Sequence, residues 1–141
     1  VDFGEAVTCQ KLRSDKVGTM PFVAPEVLAV SPQSPYWPSR VDIWSCGVVL
    51  MELLCGIGTM SSLIGWDRSH EPCADRSSEL QEFFVRNPHG IHDRVVHHLG
   101  HRDLGLQDLL DAMLEVDPDH RWSAAQVDQS PWLSDFRHGL P

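Results

Sequence analysis

Compact apolar blocks alternate with long polar stretches along this chain, and the spacing within the blocks is helical almost everywhere. Residues 41–57, VDIWSCGVVLMELLCGI, form the most apolar block. A helix that is apolar nearly all round belongs at the centre of a fold. The same block carries Asp42 and Glu52 and falls short of the roughly 20 apolar residues that a membrane span needs, so a buried central helix is the reading here. Leu106, Leu109, Leu110, Met113 and Leu114 make a helical stripe over Leu104–Leu114, which Pro118 stops. A helix is predicted over Ser77–Arg86 with Ser78 as its candidate cap, and another from Ser123, an N-cap residue type, toward Val127. Pro25 suits the first turn of a short helix, and Pro131 starts a final turn. The polar remainder reads as connections. Residues 5–23 are a loop ending in Gly18-Thr19-Met20-Pro21. Residues 31–39, with three prolines, are an extended loop. Residues 58–76 are loop, and residues 87–103 are irregular and His-rich. The pattern shows no repeats and predicts one mainly α domain.

Composition narrows the function classes. The chain has 141 residues, enough for one buried core. Hydrophobic content of 42% and charged content of 22% are those of an ordinary globular protein. A net charge of −9 and the lack of any Lys/Arg cluster argue against nucleic-acid binding. Cys9, Cys46, Cys55 and Cys73 form no C-x-x-C pair, which predicts reduced thiols and an intracellular setting, read here as cytoplasmic; with the central block too short and too charged to span, no membrane association is expected. Val1 stands where a start Met would be, and no signal-peptide pattern follows it, so Val1 reads as a truncation point.

Five short motifs then occur in a fixed order. Asp2-Phe3-Gly4 opens the chain. Gly18-Thr19-Met20-Pro21-Phe22-Val23-Ala24-Pro25-Glu26 follows, then Asp42-Ile43-Trp44-Ser45-Cys46-Gly47. Near the end come Leu114-Glu115-Val116-Asp117-Pro118-Asp119-His120-Arg121 and Ser130-Pro131-Trp132-Leu133. One tripeptide alone would be an Asp-Gly-type turn. The ordered set resembles the eukaryotic protein kinase superfamily, Ser/Thr type. Asp-Phe-Gly and Ala-Pro-Glu bracket that family's activation segment. D-x-W-S-x-G opens its central helix, L-x-x-D-P-x-x-R lies near its end, and its terminal H-P-W-L has Ser130 in place of His. The resemblance implies the family's C-terminal lobe in part, beginning at Asp2, with an activation segment followed by about five helices. The boundaries it implies are an activation segment over 2–26, a helical lobe over 27–136 and a tail over 137–141.

The resemblance also implies roles. Asp2 matches the carboxylate that holds the Mg²⁺ bridging the phosphates of ATP, an oxygen donor suited to a hard cation. Phe3 and Gly4 match its structural neighbours. Thr19 matches the Thr that meets the catalytic-loop Asp in Ser/Thr kinases and shapes the site for a protein substrate. Glu26 and Arg121 match a buried ion pair that joins the activation segment to the late helices, a structural role. Asp42 matches the residue that anchors the catalytic-loop backbone; a plain helix-start charge is the simpler alternative. Ser14, Thr8 and Thr19 are candidate phosphorylation sites. Asp15 stands three residues before Gly18, where many kinases of this pattern carry the phosphorylated Thr. It either supplies a standing negative charge, less than the ~1.5–2 of a phosphate, or is a solvated loop residue.

Two further patterns read as coincidence. His101-Arg102-Asp103-Leu104 resembles the catalytic-loop H-R-D-L, but that motif precedes Asp-Phe-Gly in the family and ends in Asn, where this chain has Asp108. It fits the lead-in to the Leu104–Leu114 helix instead. His89, His92, His97, His98 and His101 crowd together, and on a helix His97 and His101 would share a face as zinc ligands can. No Cys or Glu completes the set, and a solvated His-rich insert is the reading.

These 141 residues contain no Gly-rich phosphate loop, strand Lys or catalytic-loop Asp and Asn. The catalytic base is therefore expected upstream, and no catalytic residue is assigned within the chain. The leading reading is part of an ATP- and Mg²⁺-dependent kinase that phosphorylates Ser/Thr hydroxyls of proteins, inactive as this stretch alone. The competing reading is a truncated, non-catalytic module for protein binding.

Overall fold

The computed structural model describes residues 6–8, 11–65, 82–84, 86–87, 90–100 and 104–139. Asp2, Phe3, Gly4, Cys9, Cys73, His89 and the His101–Asp103 tripeptide lie outside the described residues, as does the 77–81 half of the helix expected over Ser77–Arg86. Residues 82–84 of that helix are helical.

The described chain is mainly helical. Its β pairing consists of isolated bridges, Arg13 with Tyr36 and Ser31 with Ser34. In chain order the helices are α1 (Pro25–Leu28), α2 (Pro38–Cys55), α3 (Thr59–Leu63), α4 (Gly90–Leu99), α5 (Leu104–Met113), α6 (Ala124–Asp128) and α7 (Pro131–Gly139). Helix α2 is the axis of the fold: α3, α4 and α5 pack on it, and α7 packs on α5 and α6. Trp44, Val48 and Met51 of α2 are fully buried among Met60, Val95, Leu106 and Leu110. Ile43, Leu109 and Met113 form a second cluster with Trp122 and Leu133. Gly47 is the point of closest approach. A β-carbon there would come within 2.9 Å of Leu114 Cδ2 and 3.0 Å of Met113 Cβ, so the lack of a side chain lets α2 and the end of α5 meet.

Five expectations change. Helix α2 starts at Pro38, inside the stretch read as extended loop, because Trp37 is extended (φ −87°, ψ 117°) and Pro suits the first helical position. It ends at Cys55, capped by Gly56 with φ 103°, two residues before the expected end. Residues 59–63, read as loop, are helix α3. Its cap comes from another element: the Glu52 carboxylate accepts from the Gly58 N–H and from the Met60 N–H at 2.8 Å. No local sequence signal announces a cap of that kind. The stretch read as irregular holds α4, in which Ile91 and Val95 are buried while His97 and His98 are exposed. Two apolar positions one turn apart suffice for an inner face, and the histidines hid that periodicity. The final turn expected at Pro131 is a nine-residue helix, nucleated by Ser130, whose Oγ accepts from the Leu133 N–H. Helix α6 begins as expected, with Ser123 and Gln126 in a reciprocal capping box.

Candidate functional site

The loop before α1 is held at three places, and the first is the Arg13–Tyr36 bridge. Arg13 N–H donates to Tyr36 O at 3.0 Å and Tyr36 N–H donates to Arg13 O at 2.9 Å. Tyr36 is buried, and its hydroxyl donates to Asp15 O at 3.0 Å. Arg13 also turns onto the side chain of Asp15: Nε donates to Oδ1 at 2.8 Å, and a second guanidinium nitrogen meets Oδ2. That hydrogen-bonded guanidinium holds the Asp15 carboxyl below the usual carboxylate range. Asp15 therefore faces a cation of its own loop, and Ser14 beside it is exposed.

The second hold is on the exposed turn around Thr19. Phe22 N–H donates to Thr19 O at 2.9 Å, closing the turn. The Met20–Pro21 peptide within it is cis. Ser45, reaching out from α2, donates its hydroxyl to Phe22 O at 2.9 Å. Val23 and Ala24 then enter the core.

The third is an ion pair. Arg121 Nη1 lies 2.5 Å from Glu26 Oε1, and Nη2 lies 3.0 Å from Oε2. The Arg121 side chain is wholly buried and that of Glu26 is 12% exposed. A buried cation must have all its donors used. Arg121 meets this with Glu115 O at 2.8 Å, Arg40 O at 2.9 Å and Val116 O at 3.3 Å. Arg40 returns the contact, its guanidinium donating to Arg121 O. The Trp44 ring lies under the guanidinium, 5.1 Å from Arg121 Cζ to the ring centroid, and meets Phe84 edge-on. The structure thus brings Glu26 and Arg121 together and places Trp44 against them. Asp42, one turn inside α2, is exposed and makes none of these contacts.

Helix α2 also presents an outer apolar stripe. Val49 and Leu53 are 47% and 77% exposed, and Ile57, just past the Gly56 cap, is 87% exposed. Val49 and Leu53, with Phe22, Ser45, Cys46 and Leu50, line a shallow open groove. His92 Nδ1 lies 2.6 Å from Asp111 Oδ2, linking α4 to α5. Among the described residues no group of three or more His, Cys, Asp or Glu side chains is placed to hold a metal. No helix among them is long and apolar enough to cross a membrane.

Arg40, Ser45 and Glu52 are the residues that pattern reading passed over. Ser45 sits inside a motif already singled out, so its hydroxyl beside Trp44 was a usable signal. Arg40 and Glu52 act on backbone groups brought up by the fold, for which the sequence has no mark.

The family model described as Protein kinase domain matches residues 1–133. Among curated proteins, the chain is 32% identical over 131 residues to MAP kinase-interacting serine/threonine-protein kinase 1 of Xenopus tropicalis, covering 88% of this chain and 30% of that protein. It is 35% identical over 121 residues to MAP kinase-interacting serine/threonine-protein kinase 2 of Xenopus laevis, covering 82% and 25%. It is 34% identical over 124 residues to SNF1-related protein kinase catalytic subunit alpha KIN12 of Arabidopsis thaliana, covering 88% and 20%. The chain spans less than a third of the length of these relatives.

Proposed function

The chain belongs to the protein kinase superfamily, Ser/Thr type, and from that premise we propose that it works as part of an ATP- and Mg²⁺-dependent enzyme that transfers the γ-phosphate of ATP to Ser and Thr hydroxyls of protein substrates. The observation that carries this reading is the Glu26–Arg121 pair, which fastens the end of the loop containing Thr19 to the late helices. Phosphoryl transfer depends chiefly on positioning and on stabilising charge, and a loop anchored to the core at Phe22 and Glu26 is a fixed surface on which to lay a substrate. In this reading Thr19 faces the substrate hydroxyl region, and Ser14 and Asp15 form the regulatory part of the loop. Asp42 steadies the catalytic loop.

Asp2 is the proposed metal ligand. Its carboxylate is the donor type that Mg²⁺ takes, and the metal would neutralise charge on the ATP phosphates. The other groups that position ATP and accept the substrate proton have no counterpart in these 141 residues, which are therefore expected to be inactive by themselves. The protein encoded by the full transcript is the material for the test. It is incubated with Mg·ATP and peptides bearing Ser, Thr or Tyr. Label on Ser and Thr, a loss of roughly 10²-fold or more with Asp2→Ala, the scale of removing a group that stabilises transition-state charge, and no transfer by residues 1–141 alone are the expected results. Wild-type protein that labels no peptide overturns the proposal.

A further inference from the structure

We propose that Ser45 is a positioning residue: its hydrogen bond to Phe22 O sets the Thr19–Phe22 turn in the orientation that receives a protein substrate. The inference rests on the kinase reading above and adds a residue to it.

A helical serine commonly turns its hydroxyl back onto a carbonyl of the preceding turn of its own helix. A hydroxyl has one proton to donate, and Ser45 donates it outward to Phe22 O at 2.9 Å. Met20 and Phe22 of the turn that Ser45 holds are half-buried and pack against the core. Gly18 and Thr19 are exposed, and the turn is closed by its own Phe22 N–H to Thr19 O contact. Upstream the loop is fixed at the Arg13–Tyr36 bridge, and downstream at buried Val23 and Ala24 and at Glu26. Between these anchors, the direction of the Phe22 carbonyl decides which way the turn faces. Ser45 controls that direction from α2. The same helix carries Trp44 against Arg121 and, at Arg40, the carbonyl that Arg121 binds. One rigid element thus holds the turn at Phe22 and the end of the loop through Arg121, so Thr19 keeps a constant place relative to the core.

A residue that only stabilised the fold would weaken every property together, whereas a positioning residue acts on the substrate it positions. In the full protein, Ser45→Ala is expected to raise KM for a Ser-bearing peptide roughly 3- to 10-fold, the effect of losing one hydrogen bond, and to leave KM for ATP unchanged. Amide exchange should quicken in a peptide covering residues 18–24 and stay constant in one covering residues 104–113. Ser62→Ala, which removes the hydroxyl that Arg94 bonds on α3, serves as the control for loss of an unrelated hydrogen bond and should leave the peptide KM where it was. An active wild type whose peptide KM is unmoved by Ser45→Ala, or moved equally by Ser62→Ala, overturns this inference alone. A wild type with no transferase activity overturns the kinase reading, and this inference with it.

Discussion

Glu26 and Arg121 stand 95 residues apart in the chain and meet in a two-pronged ion pair inside the fold. Four other groups close round the arginine: the carbonyls of Arg40, Glu115 and Val116, and the ring of Trp44. The pair joins α1 to the turn before α6 and, through Arg40, to the start of α2.

Truncating this arginine strands a buried carboxylate and three carbonyls. Arg121→Ala is expected to destabilise the protein by about 3–5 kcal/mol, the usual cost of removing one partner of a buried pair, measured by urea unfolding. Exchanging the charges, Glu26→Arg with Arg121→Glu, should recover little of it, because a glutamate at 121 offers no donors to those carbonyls. Full recovery in the exchanged double variant would mean that Coulomb attraction alone holds the site.

Close approach at Gly47 leads to a second expected outcome. Since a β-carbon would lie 2.9–3.0 Å from Leu114 and Met113, Gly47→Ala should cost about 1–3 kcal/mol as an overpacked core does, despite alanine's better helix propensity. An increase in melting temperature would show that α2 and the end of α5 can separate freely.

Protonation of Asp15 should loosen the loop. The Arg13 guanidinium lowers the carboxyl pKa in the folded state, so the favourable contribution is complete above the unfolded value of ~3.9 and is lost as pH falls through the lower folded value. An NMR titration should place the Asp15 midpoint below that of a free aspartate. In Arg13→Ala it should return to the ordinary value. A midpoint indifferent to Arg13 would remove the ion pair from the account.

The two described cysteines should differ in reactivity. Cys46 is exposed on α2, and Cys55 is buried at its end. Burial raises the Cys55 pKa, with Glu52 adding to the effect and Arg94 opposing it. Thiolate is the reactive form, so brief alkylation near neutral pH, read by mass spectrometry, should label Cys46 and spare Cys55. Equal labelling would show that the α2 end opens readily.

Much of the architecture was legible because it depends on local periodicity. The apolar block around Trp44, the Leu stripe of α5 and the Ser123 cap each lie within a few turns of chain, where side-chain spacing and one capping hydroxyl decide the outcome. Ordered motifs did the same for the family. Helices α3 and α4 were missed for the opposite reason. The first depends on a carboxylate lent by α2, and the second on two apolar positions among histidines, both settled by contact with other elements.

The sequence by itself determined a mainly helical chain with an apolar axis at α2, and it set out the ordered motifs that mark the protein kinase family. Only the tertiary structure decided what those residues touch. Arg121 could have faced solvent, as most arginines do. It is buried because Glu26, three carbonyls and the Trp44 face converge on it. Asp15 is matched by Arg13 because the Tyr36 bridge fixes that part of the loop, and Ser45 reaches Phe22 because α2 passes beneath the turn. These partners come from distant parts of the chain, and a one-dimensional pattern holds no distance between them.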